Sequence, residues 1–208
     1  MVKAFGSPLK NLKILFKMNN QIKKEIQNSI EIKEKILNND KIIYQIESLT
    51  NDCIDSIKNG GKIIFCGNGG SFADAQHIVA EFISKLRFDR SPIAAIALGT
   101  NSSNLSAVAN DYGYKKVFVR ELEALGTTKD IFIPISTSGN SQNIIEAINY
   151  SVSHGIKTIG LTGKDGGEMG KICKVINIPS NKTEKIQESH IMVGHIVCFL
   201  IEKSFFKK

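Results

Sequence analysis

Five short apolar segments, each separated from the next by a segment of helical character, constrain the fold of this chain more than any other feature. Each apolar segment is nearly continuous and too short for a buried helix, which is typical of a strand covered on both faces of a sheet. Strands that alternate with helices join through right-handed crossovers. The pattern therefore predicts a doubly wound α/β fold with a five-stranded parallel sheet. The predicted strands are 62–66, 93–98, 130–135, 157–161 and 174–178.

Helices are predicted at both ends of the alternating region. Two charged, amphipathic segments precede the first strand, one over 21–38 and one that Asp40 could cap and that runs to about residue 58. A mostly apolar helix over 183–205 closes the chain. Its residues 196–200 are apolar on too many sides for a helix that faces water, so we predict its burial in a subunit interface.

The length of 208 residues suits one domain of ordinary size. We assign 21–208 to a single domain that includes the N-terminal helices, and 1–20 to an N-terminal extension. Residues before Met18 form either a real extension or a segment upstream of the true start. Lysines interrupt every apolar stretch of 1–17, which disfavours a signal peptide.

Charge and cysteine usage narrow the class of protein. The net charge is +7, but the lysines are spread along the chain without an arginine-rich stripe that alternates with aromatic residues. We therefore predict no nucleic-acid partner, whereas a mild positive field suits a small anionic substrate. The unbroken apolar runs are far shorter than a membrane span. Four widely spaced cysteines without a Cys-x-x-Cys indicate reduced, mostly buried thiols in a cytoplasmic protein.

Two strand-to-helix turns are rich in glycine and hydroxyl side chains. The first is Cys-Gly-Asn-Gly-Gly-Ser over 66–71, and the second is Ser-Thr-Ser-Gly-Asn-Ser over 136–141. Ligands of open α/β sheets bind beyond the carboxyl ends of the strands, where free N–H groups at a helix start attract a phosphate. Glycine, serine and asparagine would also be expected in a turn that only caps a helix. Two such loops in one sheet favour a bound phosphosugar.

His77 and Glu81 lie four residues apart, so they share one face of the helix that follows the first loop. A carboxylate in that position could move a proton between adjacent sugar carbons. Imidazole and carboxylate together also suit a zinc ion. A surface ion pair is the simpler alternative, and the spacing alone does not decide between them.

The last helix carries polar residues in apolar surroundings, and polar groups on a buried helix need a reason. They are Gln187, Glu188, His190 and His195. A hydrogen-bonded core histidine is the simpler explanation for each histidine. Gln187 and His195 would lie about 12 Å apart along a helix that rises about 1.5 Å per residue. If both serve one ion, either Gln187 precedes the regular helix or the two residues come from different subunits, which predicts an oligomer with shared sites.

These residues fall within segments that resemble the phosphoheptose isomerases, a family of the sugar-isomerase (SIS) domain superfamily. The segments lie in order over about 60–202 and are CGNGGSFADAQHIVAEF, VANDYGY, ISTSGNSQNIIEAI, GLTGKDGG and KIQESHIMVGHIVCFLIE. The resemblance implies the SIS version of a flavodoxin-like fold, a cytoplasmic location and a homotetramer with active sites between subunits. No nucleic acid and no membrane are expected as partners.

The resemblance also implies roles for individual residues. The substrate is expected at Asn68, Gly69, Gly70, Ser71, Glu81, Asn110, Asp111, Ser136, Thr137, Ser138, Ser141 and Gln187. One zinc ion per active site is expected at His77, Glu81, Gln187 and His195. Glu81 and His195 are expected to form the acid–base pair.

The implied reaction converts sedoheptulose 7-phosphate to D-glycero-D-manno-heptose 7-phosphate through an enediol(ate), the first step of ADP- or GDP-heptose synthesis for lipopolysaccharide or capsule. One alternative is a non-catalytic SIS protein that binds phosphosugars or associates with a replication initiator. Another is an SIS isomerase of arabinose or hexulose phosphates. The presence of all four metal and acid–base residues favours the heptose enzyme.

Overall fold

The computed structural model describes the backbone of residues 8–206 and the side chains of residues 17–206. Its centre is a parallel five-stranded sheet, as the apolar segments predict, and the strand order is β2-β1-β3-β4-β5. The strands are β1 (Ile63–Gly67), β2 (Ala95–Ala97), β3 (Ile131–Ser136), β4 (Lys157–Thr162) and β5 (Lys174–Asn177). β2 is shorter than predicted because it is an edge strand that pairs only with β1.

Eight α-helices and one short 3₁₀-helix surround the sheet within the described residues. They are α1 (Pro8–Leu37), α2 (Asp40–Lys58), α3 (Gly70–Ile83), α4 (Ser102–Tyr112), the 3₁₀-helix (Tyr114–Lys116), α5 (Val117–Leu125), α6 (Gln142–Ser153), α7 (Met169–Ile172) and α8 (Thr183–Phe206). The predicted helix over 183–205 is confirmed. Asn39 rather than Asp40 caps α2, because its side-chain oxygen accepts the N–H of Ile42 at 3.2 Å.

The two faces of the sheet have separate cores, because successive residues of a strand point to opposite faces. On one face, Ile131, Ile133 and Ile135 of β3 pack with α1, α2, α3 and α8. On the other face, Phe132 packs with residues of α4, α5, α6 and α7. The helices are therefore divided between both faces of the sheet, which confirms the doubly wound arrangement.

The register of the strands brings the loops that follow β1, β3 and β4 to one edge of the sheet. Gly67 at the end of β1 pairs with Ile135, and Ser136 at the end of β3 pairs with Thr162 of β4. From β1, the chain leads to β2 on one side, whereas β3 lies on the other side. Ligands of open α/β sheets bind at such a switch point, and both glycine- and serine-rich loops meet there.

The N-terminal boundary of the domain stays a prediction. The proposed limit at residue 20 falls within α1, which continues without a break to Leu37. Residues 1–7 of the predicted extension lie outside the described part of the chain.

α8 has the length and apolar composition of a membrane-spanning helix, which is weak evidence of one by itself. It packs against α1, α2, α3 and β4, and Lys185, His190 and Glu202 are among its buried residues. These contacts are those of a core helix. Val197 and Cys198 are buried inside the subunit, whereas Ile196 and Leu200 remain exposed, so packing within one subunit accounts for only part of the apolar 196–200 segment.

The four cysteines are free thiols. Cys53, Cys66 and Cys198 are buried, and Cys173 is half-buried. Burial raises the pKa of Cys173 to about 11 and that of Cys198 to about 12. The expectation of reduced, mostly buried cysteines agrees with this arrangement.

Candidate active site

The first loop connects β1 to α3 and leaves the start of that helix without a side-chain cap. Gly69 occupies the N-cap position with φ of +54°, a conformation that L side chains rarely adopt. Ser71 is buried in the first turn. The N–H groups of Ser71 and Phe72 donate to the carbonyl oxygen of Asn68 at 3.0 and 3.3 Å, so those of Gly69 and Gly70 are the ones that a phosphate or sugar could use.

The second loop connects β3 to α6 through a network of hydroxyl groups. The Ser136 and Ser141 hydroxyl oxygens lie 3.2 Å apart, and the N–H of Gly139 donates to Ser136 Oγ at 3.2 Å. Ser138 Oγ accepts the N–H of Asn140 at 3.2 Å. Ser141 is the N-cap residue of α6, yet its side chain makes no capping hydrogen bond. A loop that served only to cap a helix would use this hydroxyl, so the structure favours a ligand site.

Asn143 holds the two loops together. Its side-chain amide exchanges two hydrogen bonds of 2.9 Å with the side-chain amide of Asn68, and the Tyr114 hydroxyl donates to Asn68 Oδ1 at 3.1 Å. The amide of Asn68 is thus engaged within the protein. Neither Asn143 nor Tyr114 was identified from the sequence. Asn143 is one of several polar residues of α6, so its position in the sequence gave no distinct signal.

Asn110 and Asp111 lie at the end of α4 and are exposed. They contact each other, with Asn110 Nδ2 donating to Asp111 Oδ1 at 2.8 Å. Among the described residues, no hydrogen bond joins either side chain to the two loops. Their region nevertheless approaches the first loop, because Tyr114 follows three residues later and reaches Asn68.

His77, Glu81 and His195 form a cluster in which one ligand atom of each residue lies within 4.8 Å of the others. His77 Nε2 is 3.0 Å from His195 Nε2 and 3.3 Å from Glu81 Oε1. Their helices are α3 and α8, and 118 positions separate the two histidines. The cluster is open to solvent, because the side chain of His77 is 52% exposed.

These three residues fit a zinc ion. Ligand atoms of a tetrahedral zinc with bonds of about 2.0–2.1 Å lie about 3.3 Å apart. The separations of 3.0 and 3.3 Å from His77 Nε2 are close to that value. Two imidazoles and one carboxylate also form a donor set found in catalytic zinc sites, which keep a fourth position open. The simpler alternative of an isolated His77–Glu81 surface pair omits the second histidine.

Gln187 lies inside α8, so the alternative in which it precedes the regular helix is wrong. Its side-chain amide lies beside the first loop, where a Cβ added to Gly70 would come within 2.5 Å of Gln187 Nε2. His195 is about 12 Å farther along the same helix. Of the four expected metal ligands, one subunit therefore brings His77, Glu81 and His195 together and directs Gln187 to the first loop.

A close approach of α3 and α8 makes the histidine contact possible. A Cβ added to Gly194 would lie 2.7 Å from Ile78 Cγ1 and closer still to Ile78 Cδ1. Gly194 precedes His195, and Ile78 follows His77. The missing side chain at Gly194 thus allows the two helices to approach at the point where each presents its histidine.

Two further titratable groups near these elements were not predicted to function. Burial raises the pKa of Asp74 to about 6, and the charge of His77 offsets part of that effect. Asp74 Oδ2 is a buried oxygen without a hydrogen-bond partner among the described residues. Burial lowers the pKa of His190 to about 4, and this neutral ring contacts the carbonyl of Thr162 at 3.2 Å.

A hollow of about 270 Å³ opens beside the second loop. Thr137 and Ser138 form one wall, and Lys164, Ser180 and Thr183 contribute polar groups to the others. The hollow is polar and accessible from solvent, and it lies at the carboxyl edge of the sheet. A phosphate held by the second loop would therefore lie next to an open, polar space.

Comparisons with known proteins agree with this geometry. The SIS domain family model matches residues 26–163. The phosphoheptose isomerase of Aneurinibacillus thermoaerophilus is 49% identical over 191 residues, which cover 91% of this chain and 96% of that protein. The phosphoheptose isomerase of Clostridium acetobutylicum is 50% identical over 190 residues, with 91% and 97% covered.

A solved structure gives the same result for the fold. Phosphoheptose isomerase GmhA from Neisseria gonorrhoeae superposes with a TM-score of 0.83 at 36% identity and covers 89% of this chain and 99% of its own. The chain therefore belongs to the SIS domain family and, within it, to the phosphoheptose isomerases.

Proposed function

We propose that this protein is the isomerase that converts sedoheptulose 7-phosphate to D-glycero-D-manno-heptose 7-phosphate. The observation that carries the proposal is the convergence of His77, Glu81 and His195 in a structure whose sheet edge also presents two uncapped, phosphate-type loops. The relatives that are named phosphoheptose isomerases support the assignment of the substrate.

The two loops are proposed to bind the substrate. Ser136, Thr137, Ser138 and Ser141 provide hydroxyl donors for the phosphate, and the N-terminus of α6 provides a favourable dipole. Gly69 and Gly70 of the first loop are proposed to meet sugar hydroxyls through their backbone and Ser71 through its hydroxyl, because the side chain of Asn68 is engaged with Asn143. Gln187, beside Gly70, would bind the same end of the sugar.

Glu81 and His195 are proposed to move the protons. The Glu81 carboxylate takes a proton from C1 of the ketose, and the C–H electron pair forms the C1–C2 double bond of an enediol(ate). His195 transfers the hydroxyl proton from O1 to O2, and Glu81 returns a proton to C2. Acid–base groups positioned in this way contribute about 10²–10⁴-fold to the rate.

His77, Glu81 and His195 are also proposed to hold a zinc ion, and Gln187 of a neighbouring subunit is proposed for the open position. A bound zinc would polarise the substrate oxygens and stabilise the negative charge of the enediolate. Glu81 and His195 can each be both a metal ligand and a proton carrier only if different atoms have these roles. His195 Nε2 faces His77 Nε2 at 3.0 Å, so we assign the proton of His195 to Nδ1. Glu81 Oε1 lies 3.3 Å from His77 Nε2, so we assign the proton of Glu81 to Oε2.

A homotetramer with shared active sites is proposed as the assembly. α1 exposes an apolar stripe at four-residue spacing, with Met18, Ile22, Ile26 and Ile30 between 43% and 58% exposed. Such a stripe on a long helix needs an apolar partner. The separation of Gln187 and His195 along α8 also supports shared sites, because two residues 12 Å apart in one subunit cannot reach one ion.

The alternative of a non-catalytic SIS protein requires none of the acid–base residues to converge. The close approach of His77 and His195 therefore favours the enzyme over a phosphosugar-binding or replication-initiator-associating protein. We propose a cytoplasmic location, where the product would enter heptose synthesis for lipopolysaccharide or capsule.

The test is an assay of the purified protein with sedoheptulose 7-phosphate, with and without added zinc after chelation. Aldose phosphate formation that chelation abolishes and zinc restores is expected. His195→Ala and Glu81→Gln should lose at least about 10²-fold in kcat. His154→Ala is the matched control, because His154 is exposed and stacks on Tyr150 at the other end of the sheet. A folded, zinc-loaded protein without turnover would refute the proposal in favour of a binding role.

A further inference from the structure

A buried ion pair joins the segment after α3 to the end of α8. Arg90 Nε donates to Glu202 Oε1 at 2.8 Å, and the two side chains are 1% and 0% exposed. Glu202 also accepts the backbone N–H groups of Leu86 at 3.0 Å and Arg87 at 3.2 Å. Every charge in this pair is therefore met by a charge or hydrogen bond, as a buried ion pair requires.

Arg90 also binds the backbone at the end of α3. Its Nη2 donates to the carbonyl oxygen of Glu81 at 2.8 Å, and its Nη1 donates to the carbonyl oxygen of Phe82 at 2.8 Å. α3 ends at Ile83, so these carbonyls belong to the last turn, where the helix supplies no partners. A cation is favoured there by the helix dipole. One guanidinium thus connects the residue that carries the cluster carboxylate to α8.

The same connection reaches His195. Glu202 follows His195 by seven residues, or two helical turns, so both lie on one face of α8. On α3, Glu81 provides a ligand atom of the cluster through its side chain and an Arg90 acceptor through its carbonyl. The ion pair and the cluster therefore lie at two points of one α3–α8 contact. A displacement of either helix along the other would therefore strain both the ion pair and the cluster.

We propose that Arg90 and Glu202 are positioning residues, which hold Glu81 and His77 of α3 at metal-binding distance from His195 of α8. The proposal rests on the proposed function, because it assigns a role toward that same site. This role differs from that of an ion pair that only stabilises the fold. A structural pair would affect only the stability of the fold, whereas a positioning pair sets the geometry of the folded site.

Two variants test the proposal. Arg90→Lys keeps a cation beside Glu202 but loses the planar fork that reaches two carbonyls of α3. The double variant Arg90→Met/Glu202→Gln removes both charges, so no buried charge is left unpaired, and the glutamine oxygen still faces the N–H groups of Leu86 and Arg87. Asp130→Asn is the control, because Asp130 forms a partly buried ion pair whose partners, Lys62 and Thr127, belong to neither α3 nor α8.

The readouts are Co²⁺ affinity and visible spectrum, thermal stability of the metal-free protein, and kcat and KM for sedoheptulose 7-phosphate. We expect both Arg90 variants to bind Co²⁺ about 10- to 100-fold more weakly, the range seen when groups that orient metal ligands are lost. We expect kcat to fall by a similar factor with KM little changed, because the phosphate loops are not altered. Asp130→Asn should melt earlier but keep the parental Co²⁺ affinity and kcat.

Parental affinity and kcat in both Arg90 variants would overturn the proposal. So would an equal loss of affinity in Asp130→Asn, because the effect would then follow general destabilisation. A parent protein that binds Co²⁺ but does not convert the ketose phosphate refutes the reaction, and weaker Co²⁺ binding by the variants would still support positioning. A parent that neither binds Co²⁺ nor turns over the substrate overturns both proposals.

Discussion

Gly194→Ala should separate the two histidines of the cluster. The added Cβ would lie 2.7 Å from Ile78 Cγ1 and closer to Cδ1, whereas carbon atoms in contact prefer about 3.5–4.0 Å. Ile78 is only 2% exposed and has little room to move aside. We therefore expect α8 to move away from α3 by about 1 Å. The separation of His77 Nε2 from His195 Nε2 would increase from 3.0 Å to about 4 Å, beyond the roughly 3.3 Å that suits a tetrahedral zinc.

The cost in stability is the balance of two effects. Inserting a methyl group into a packed core costs about 1–3 kcal/mol. Alanine instead of glycine in a helix interior gains about 1 kcal/mol. The expected net loss in the free energy of unfolding is about 1 kcal/mol, with a loss of at least about 10-fold in Co²⁺ affinity. Urea unfolding of the metal-free protein and Co²⁺ titration measure the two quantities.

The background variant Ile78→Ala provides the decisive comparison. It removes the atoms that the new Cβ would meet, at a cost of about 2–5 kcal/mol for the cavity. In that background Gly194→Ala should stabilise the protein by about 1 kcal/mol, because only the gain in helix propensity remains. Gly170→Ala is a control, since its Cβ would meet nothing closer than 3.6 Å. The same change in free energy in both backgrounds, or parental Co²⁺ affinity in Gly194→Ala, would refute the packing argument.

Three further predictions concern other parts of the molecule. Burial lowers the pKa of His190 from 6.5 to about 4 in the folded state, so the ring is neutral there. Between these pH values the unfolded state binds more protons than the folded state. The parent protein should therefore lose about 3 kcal/mol of stability as the pH falls from 6.5 to 4. The free energy of unfolding of His190→Gln, measured in urea, should not show this loss at low pH. An equal pH dependence in both proteins would contradict the assignment of the loss to His190. Asn143→Ala should raise KM for the sugar phosphate about 10-fold, because Asn68 loses both hydrogen bonds to the Asn143 amide. Unchanged Co²⁺ affinity would show that the cluster of His77, Glu81 and His195 is intact. An unchanged KM would count against a role of Asn143 in holding the two loops together. Ile22→Lys with Ile26→Lys should reduce the oligomer to smaller species in sedimentation, and a persistent tetramer would exclude the α1 stripe as an interface.

The fold could be predicted because its signal is local. Each predicted strand is a run of apolar residues, and the residues of β3 are buried on both faces of the sheet, as such a run requires. Boundaries were less certain where local signals compete. Asn39 and Asp40 are both good capping residues, and only the backbone geometry shows that Asn39 has this role.

The candidate site was only partly predictable because its contacts are not local. The spacing of His77 and Glu81 gave their common face, but the pairing of His77 with His195 depends on how α3 crosses α8, 118 positions later in the chain. Asn143 and Arg90 had no sequence pattern of their own. Their roles depend on the partners that they meet, Asn68 for the former and the carbonyl of Glu81 for the latter.

The polar residues of α8 have a common explanation in the contacts that each one makes. Gln187 lies beside the first loop, His190 meets the carbonyl of Thr162, His195 belongs to the cluster, and Glu202 holds Arg90. A shift of one residue along the helix would turn every side chain by about 100° and remove all four contacts together. Such a shift would also bury these polar groups without partners, which adds to the cost of repacking the apolar contacts. The polar residues therefore help to fix the register of α8, and the register in turn places His195 beside His77 and Glu81.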